Sequence, residues 1–164
     1  MLERQGLVLG PWATPDTRAG HPSRRVVLDA ATGEPLGFVA RAAPGTRWLS
    51  WLRPAVLEVY ETEDASLLCT LRGPSLGRRA WEVQDAEGRH VATLSQAVVR
   101  DAEGRQQATL HRSARGGTFF TPTGLELAAF TPSERGTVLT FTAALEGNPF
   151  ARMALLGATL AVSE

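Results

Sequence analysis

Asn148-Pro149-Phe150-Ala151-Arg152-Met153-Ala154-Leu155-Leu156-Gly157-Ala158-Thr159-Leu160-Ala161-Val162-Ser163-Glu164 is the stretch on which the fold turns. Asn148 suits a helix N-cap and Pro149 the first turn, so the run reads as an α-helix over about 149–162. At helical spacing, Phe150, Met153, Leu155, Leu156, Leu160 and Val162 place apolar bulk around the whole circumference, broken by Arg152 alone. A helix with no polar face needs an apolar wall on every side. Ala154, Ala158 and Ala161 share one stripe with Gly157 beside it, so one side can approach that wall closely.

The rest of the chain supplies strands rather than helices. Asp85-Ala86-Glu87-Gly88-Arg89-His90-Val91-Ala92-Thr93-Leu94 returns sixteen residues later as Asp101-Ala102-Glu103-Gly104-Arg105-Gln106-Gln107-Ala108-Thr109-Leu110, changed at two of ten positions. In each copy Asp starts a type I turn, and Gly three residues later supplies the left-handed backbone that closes a bulged hairpin. Looser hairpins join Arg25–Asp29 to Leu36–Ala40 and Val56–Glu61 to Leu67–Leu71. Leu7–Leu9, Trp48–Leu52, Thr118–Thr121, Leu125–Phe130 and Thr137–Thr142 complete roughly a dozen strands, by the pattern of short strands between turns. A sandwich fills its core from its own two inner faces and has no slot for such a helix, whereas a barrel this wide needs a filling. The expected fold is mainly β: a closed antiparallel β-barrel of about twelve strands around a central C-terminal hydrophobic α-helix.

At 164 residues and 43% hydrophobic, the chain supports one core, so residues 1–164 are expected to form a single domain. Seventeen basic residues, all arginine, balance seventeen acidic ones, which gives no bulk attraction to nucleic acid; arginine without lysine suggests a GC-rich, bacterial source. A lone Cys69 excludes an internal disulfide and fits a reducing, cytoplasmic setting. A bilayer crossing takes ~20 apolar residues and the terminal run offers about 14, so the chain is not expected to be an integral membrane protein.

Chemistry-bearing patterns are sparse. His21, His90 and His111 lack partners at metal-ligand spacing, the acidic turns fall short of a calcium loop, and no serine sits in a nucleophile elbow. No catalytic residue, metal or cofactor is expected, and the chain is read as a non-enzyme. Arg72, Arg78 and Arg79, around Gly73-Pro74-Ser75-Leu76-Gly77, are the candidates for an anion or lipid head group, because guanidinium forks match tetrahedral anions. Arg24-Arg25 and Arg112 to Arg115 are secondary candidates. Trp48 and Trp51 are candidates for a membrane or partner contact if exposed.

The D-x-x-G hairpins, Trp81-Glu82-Val83 before one of them, and Met153-Ala154-Leu155-Leu156-Gly157-Ala158 in a terminal helix resemble the tubby C-terminal-like superfamily, most nearly its LURP-one-related and phospholipid-scramblase-like branch. The resemblance spans nearly the whole chain from Leu7 and implies a twelve-stranded barrel closed around the helix. It further implies a binding or scaffold module, directed at a phospholipid head group or a protein partner and peripheral at the membrane. The alternative it implies is scramblase-like lipid transport with the helix inserted in the bilayer. The acidic, calcium-binding segment of scramblases is matched by Thr142–Asn148 with one carboxylate, and their palmitoylated cysteine cluster by Cys69 alone.

Overall fold

The computed structural model describes residues 1–13, 23–42, 54–62, 65–75 and 79–163. Its strands are β1 (Gly6–Trp12), β2 (Arg24–Asp29), β3 (Pro35–Arg41), β4 (Val56–Glu61), β5 (Leu67–Arg72) and β6 (Trp81–Asp85), then β7 (His90–Ser95), β8 (Val98–Asp101), β9 (Gln106–Ser113), β10 (Gly116–Phe120), β11 (Glu126–Ser133) and β12 (Gly136–Phe141). A 3-10 turn at Ala143–Leu145 leads into α1 (Pro149–Val162). Each strand pairs antiparallel with the next, and β12 returns to β1 through Gly6↔Thr140, Leu7↔Leu139, Val8↔Val138 and Leu9↔Thr137, which closes the barrel. Closure leaves no edge unpaired among the described strands. The strand expected at Trp48–Leu52 lies outside the described residues.

The repeated hairpins form as their chemistry dictates. Gly88 and Gly104 hold φ of 80° and 78°, backbone that a side chain would strain, and the register shifts by a bulge beside each turn. One carboxylate oxygen of Asp85 accepts from the Glu87 and Arg89 amides at 3.1 and 2.8 Å, which pins the turn.

The helix is the filling. Every residue from Ala151 to Leu160 is buried, among inward-facing Leu7, Leu9, Leu57, Leu71, Val83, Phe119 and Leu139. Asn148 caps it, its side chain accepting from the Ala151 amide at 3.0 Å. The small stripe meets the wall at β5 and β6: a Cβ built on Gly157 would lie 2.6 Å from Val83 Cγ2. Two residues depart from the expected ring. Phe150 is 54% exposed, because it sits in the first turn at the barrel mouth. Arg152 is buried instead of marking a polar gap: Nε donates to the Leu145 carbonyl at 3.1 Å, and Nη1 to those of Leu2 and Arg4 at 2.7 and 3.2 Å. The guanidinium also lies over the Phe141 ring at 5.3 Å. It ties the N-terminal segment and the pre-helix turn to the plug.

Candidate functional site

An up-and-down barrel sends alternate connections to opposite ends, so charges in different hairpins sort by the parity of the hairpin. The β2–β3, β4–β5, β6–β7, β8–β9 and β10–β11 connections lie at the end where α1 enters, the entry end. There the inward-facing last residues of β2, β4, β6 and β8 are Asp29, Glu61, Asp85 and Asp101. Exposed Glu34, Glu87, Glu103 and Glu146 add to them. The few cations at this end are taken up. Arg89 Nε meets Asp85 Oδ2 at 2.7 Å and its Nη2 meets Glu87 at 2.9 Å; Arg105 repeats the pattern with Asp101 and Glu103 at 2.9 and 2.8 Å. Arg4 meets Asp29 at 3.2 Å, and the amino group of Met1 meets Glu61 at 2.7 Å.

Burial works against ionising Asp85 and Asp101, but donated hydrogen bonds outweigh it. The amide and guanidinium of Arg89, with the Glu87 amide, hold Asp85 below its usual value, and Arg105 with the Glu103 amide does the same for Asp101. Both carboxylates line one cleft with Phe150, beside the helix N-terminus, where negative charge complements the helix dipole.

The exit end has the opposite sign. Arg24 starts β2, Arg41 ends β3, Arg72 ends β5, Arg79 precedes β6, and Arg112, Arg115 and Arg135 surround the β9–β10 and β11–β12 turns. All seven are exposed, and Glu82 and Glu134 are the acids described there. Among the described residues none of Arg72, Arg79, Arg115 and Arg135 forms an ion pair. Arg112 Nη2 donates to the Val162 carbonyl at 3.4 Å, at the negative end of the helix dipole. Arg24 lies over Phe38 at 4.8 Å and Arg41 over Trp12 at 5.1 Å. Arg25 points inward and is buried, Nε donating to the Gly10 carbonyl and Nη2 to Leu9 O and Thr137 Oγ1 at 3.1 and 3.3 Å.

Of the residues singled out from sequence, Arg72 and Arg79 sit at this exit end, with Arg72 opposite Glu82 in the β5–β6 register. Arg78, Trp48 and Trp51 lie outside the described residues. The strand ends that flank 43–53 and 76–78 belong to the exit end as well. Sequence reading missed the separation of charge, since a net charge of zero conceals it; the signal was the alternation of acidic and arginine-bearing connections along the chain.

Nothing among the described residues assembles into reactive machinery. No group of three His, Cys, Asp or Glu side chains converges, and burial pushes the Cys69 thiol up to about 12, where it stays protonated. His90 Nε2 is within 2.9 Å of Thr93 Oγ1 and His111 rests against Phe120 at 5.1 Å, both outside the barrel. A cleft of about 720 Å³ at the entry end is lined by Leu2, Leu36, Leu68 and Pro149, with the Met1–Glu61 ion pair at its side. No buried side-chain nitrogen or oxygen described lacks a hydrogen-bond partner, so no polar group there waits for a ligand.

No family model matches the chain, and no curated protein does. In fold it is similar to a protein from Arabidopsis thaliana solved by X-ray crystallography, with a TM-score of 0.61 at 14% identity over 98% of this chain and 94% of that one. The likeness concerns the fold. No described helix is long and apolar enough to cross a membrane.

Proposed function

We propose that the chain is a non-enzymatic binding module of the tubby-like, LURP-one-related kind, and that its exit end receives an anionic group, a phospholipid head group first among the candidates. The observation that carries this reading is the collection of exposed arginines at that end, with Arg72, Arg79, Arg115 and Arg135 outside any described ion pair. A guanidinium fork bonds a phosphate through two parallel N–H donors, and several forks on adjacent turns suit a multiply charged head group. The carboxylates at the far end would turn that basic face toward an anionic surface and keep the acidic face away. Placement peripheral to the cytoplasmic side of a membrane belongs to the same proposal. Bilayer insertion of α1 has less support, because Ala151 to Leu160 are enclosed by the barrel wall.

Flotation with phosphatidylcholine vesicles, with and without phosphatidylinositol bisphosphate, is the test. Binding should need the anionic lipid, weaken steeply with salt, and weaken further in an Arg72→Glu/Arg79→Glu variant. No flotation at low salt would sink the lipid reading, and competition by inorganic phosphate at millimolar concentration would point to a small anion in place of a lipid.

A further inference from the structure

The outer wall of the barrel is of two kinds. From β5 to β10 the outward positions are mostly polar, among them Thr70, Gln84, Thr93, Arg100, Thr109 and Thr118, with Val98 and Phe120 on either side of Thr109. Over β2 to β4 they include Val26, Leu28, Phe38 and Tyr60, joined through Val26↔Phe38 and Phe38↔Tyr60, with Val8 of β1 buried beside Leu28. Val26 is 46% exposed, and the Phe38 and Tyr60 rings stack at 4.9 Å with 19° between their planes. A contiguous apolar patch with Phe, Tyr and a flanking Arg has the composition of an interface centre.

The charges beside the patch select its partner. One row toward the exit end, Arg24 on β2 and Glu58 on β4 flank Ala40 on β3, through Arg24↔Ala40 and Ala40↔Glu58. Two strand spacings, about 10 Å, separate the two residues; Glu58 accepts from the Tyr60 hydroxyl at 2.8 Å and Arg24 lies over Phe38, and neither is in a described ion pair. A two-fold axis lying along β3 in the plane of contact exchanges β2 with β4 and keeps each row at its own height. Arg24 then faces Glu58 of a second copy, Glu58 faces the second copy's Arg24, Phe38 meets Phe38, and Val26 meets Tyr60. The patch is complementary to itself under that operation, the requirement for an isologous contact. We propose that the outer wall of β2–β4 is a two-fold interface between copies of this chain, with its axis along β3. It shares Arg24 with the exit end but uses none of Arg72, Arg79, Arg115 and Arg135, so the two proposals can fail separately.

Two convex walls touch over a limited area, so the contact belongs at the small end of specific interfaces, with a Kd in the micromolar range. Sedimentation velocity on the full chain at about 200 µM should therefore show a concentration-dependent dimer. Val26→Lys, at a half-exposed position where folding is not at stake, and Phe38→Glu, checked by circular dichroism, should both leave a monomer. Arg24→Glu and Glu58→Arg should each weaken association about tenfold or more by placing like charges opposite, and the double variant should restore it to within about threefold. A monomeric wild type, a dimer indifferent to Val26→Lys, or a double variant no better than its parents would overturn the proposal. Flotation of the monomer with neutral phosphatidylcholine vesicles, lost on Phe38→Glu, would overturn it too and assign the patch to a lipid surface.

Discussion

Gly157 packs tightly against the wall, and replacing it by alanine sets two opposing effects against each other. In an unhindered helix interior, Gly→Ala stabilises by about 1 kcal/mol, because alanine loses less backbone entropy on folding. Here the new Cβ would fall 2.6 Å from Val83 Cγ2. Val83 is 2% exposed and its β-branched side chain is stiff at χ1, so it has little room to swing aside. Overpacking of this kind costs about 1–3 kcal/mol. Taking the middle of that range, Gly157→Ala should destabilise by about 1 kcal/mol, a fall of ~3 °C in Tm for a chain of this size. Val83→Ala alone should cost about 2 kcal/mol through lost burial and a small cavity. In that background the clash is absent, so Gly157→Ala should reverse sign and stabilise by about 1 kcal/mol, a coupling of ~2 kcal/mol between the two sites. Urea unfolding followed through tryptophan fluorescence measures all four corners of the cycle. Stabilisation by Gly157→Ala in the wild type, or an equal effect in both backgrounds, would refute the close contact of α1 with β6.

Two further outcomes follow from the polar groups. Asp85 and Asp101 are held below the ordinary Asp value near 3.9, so each stabilises the fold in full above about pH 4 and loses that contribution as pH falls through its lowered folded value; Asp85→Asn/Asp101→Asn should flatten the acid limb of a Tm-against-pH curve and leave its neutral shape alone. Arg152→Met should cost about 2–4 kcal/mol in urea unfolding by stranding the Leu2 and Arg4 carbonyls, since that of Leu145 keeps the Asn148 amide, and should speed hydrogen exchange in Leu2–Gln5, with Arg152→Lys recovering only part because an ammonium lacks the planar fork that reaches all three.

The barrel was legible in the sequence because its turns are written in local chemistry. Asp85-Ala86-Glu87-Gly88 and its repeat form the bulged hairpins that Asp and Gly demand at those positions. The helix was legible because an all-apolar run leaves few places to go. What escaped depends on contacts between residues far apart in the chain. Phe150 and Leu156 are both large and apolar, yet one lies at the mouth and the other at 0% exposure, a matter of how far the helix is inserted. In Arg25-Val26-Val27-Leu28 the apolar residues occupy both faces, and only the register with β1 and β3 tells that Val27 fills the core while Val26 faces outward. Arg72, Arg78 and Arg79 were visible as a cluster, but that Arg72 and Arg79 share an end with Arg115 and Arg135 required the parity of every connection between them.

Because β12 closes on β1 and the plug follows β12, the interior has no filling until residue 162 has left the ribosome. Synthesis at about 5–20 residues per second leaves the earlier hairpins waiting for several seconds with their inward faces bare. Leu9, Leu57, Leu71 and Phe119 are then presented to solvent together, a temporary hydrophobic trough. Long-range closure is in any case slow, since the Gly6–Thr140 pairing spans nearly the whole strand array. A nascent chain stalled after Phe141 would be a chaperone substrate, and chain termination just before the helix would yield aggregate instead of a smaller barrel.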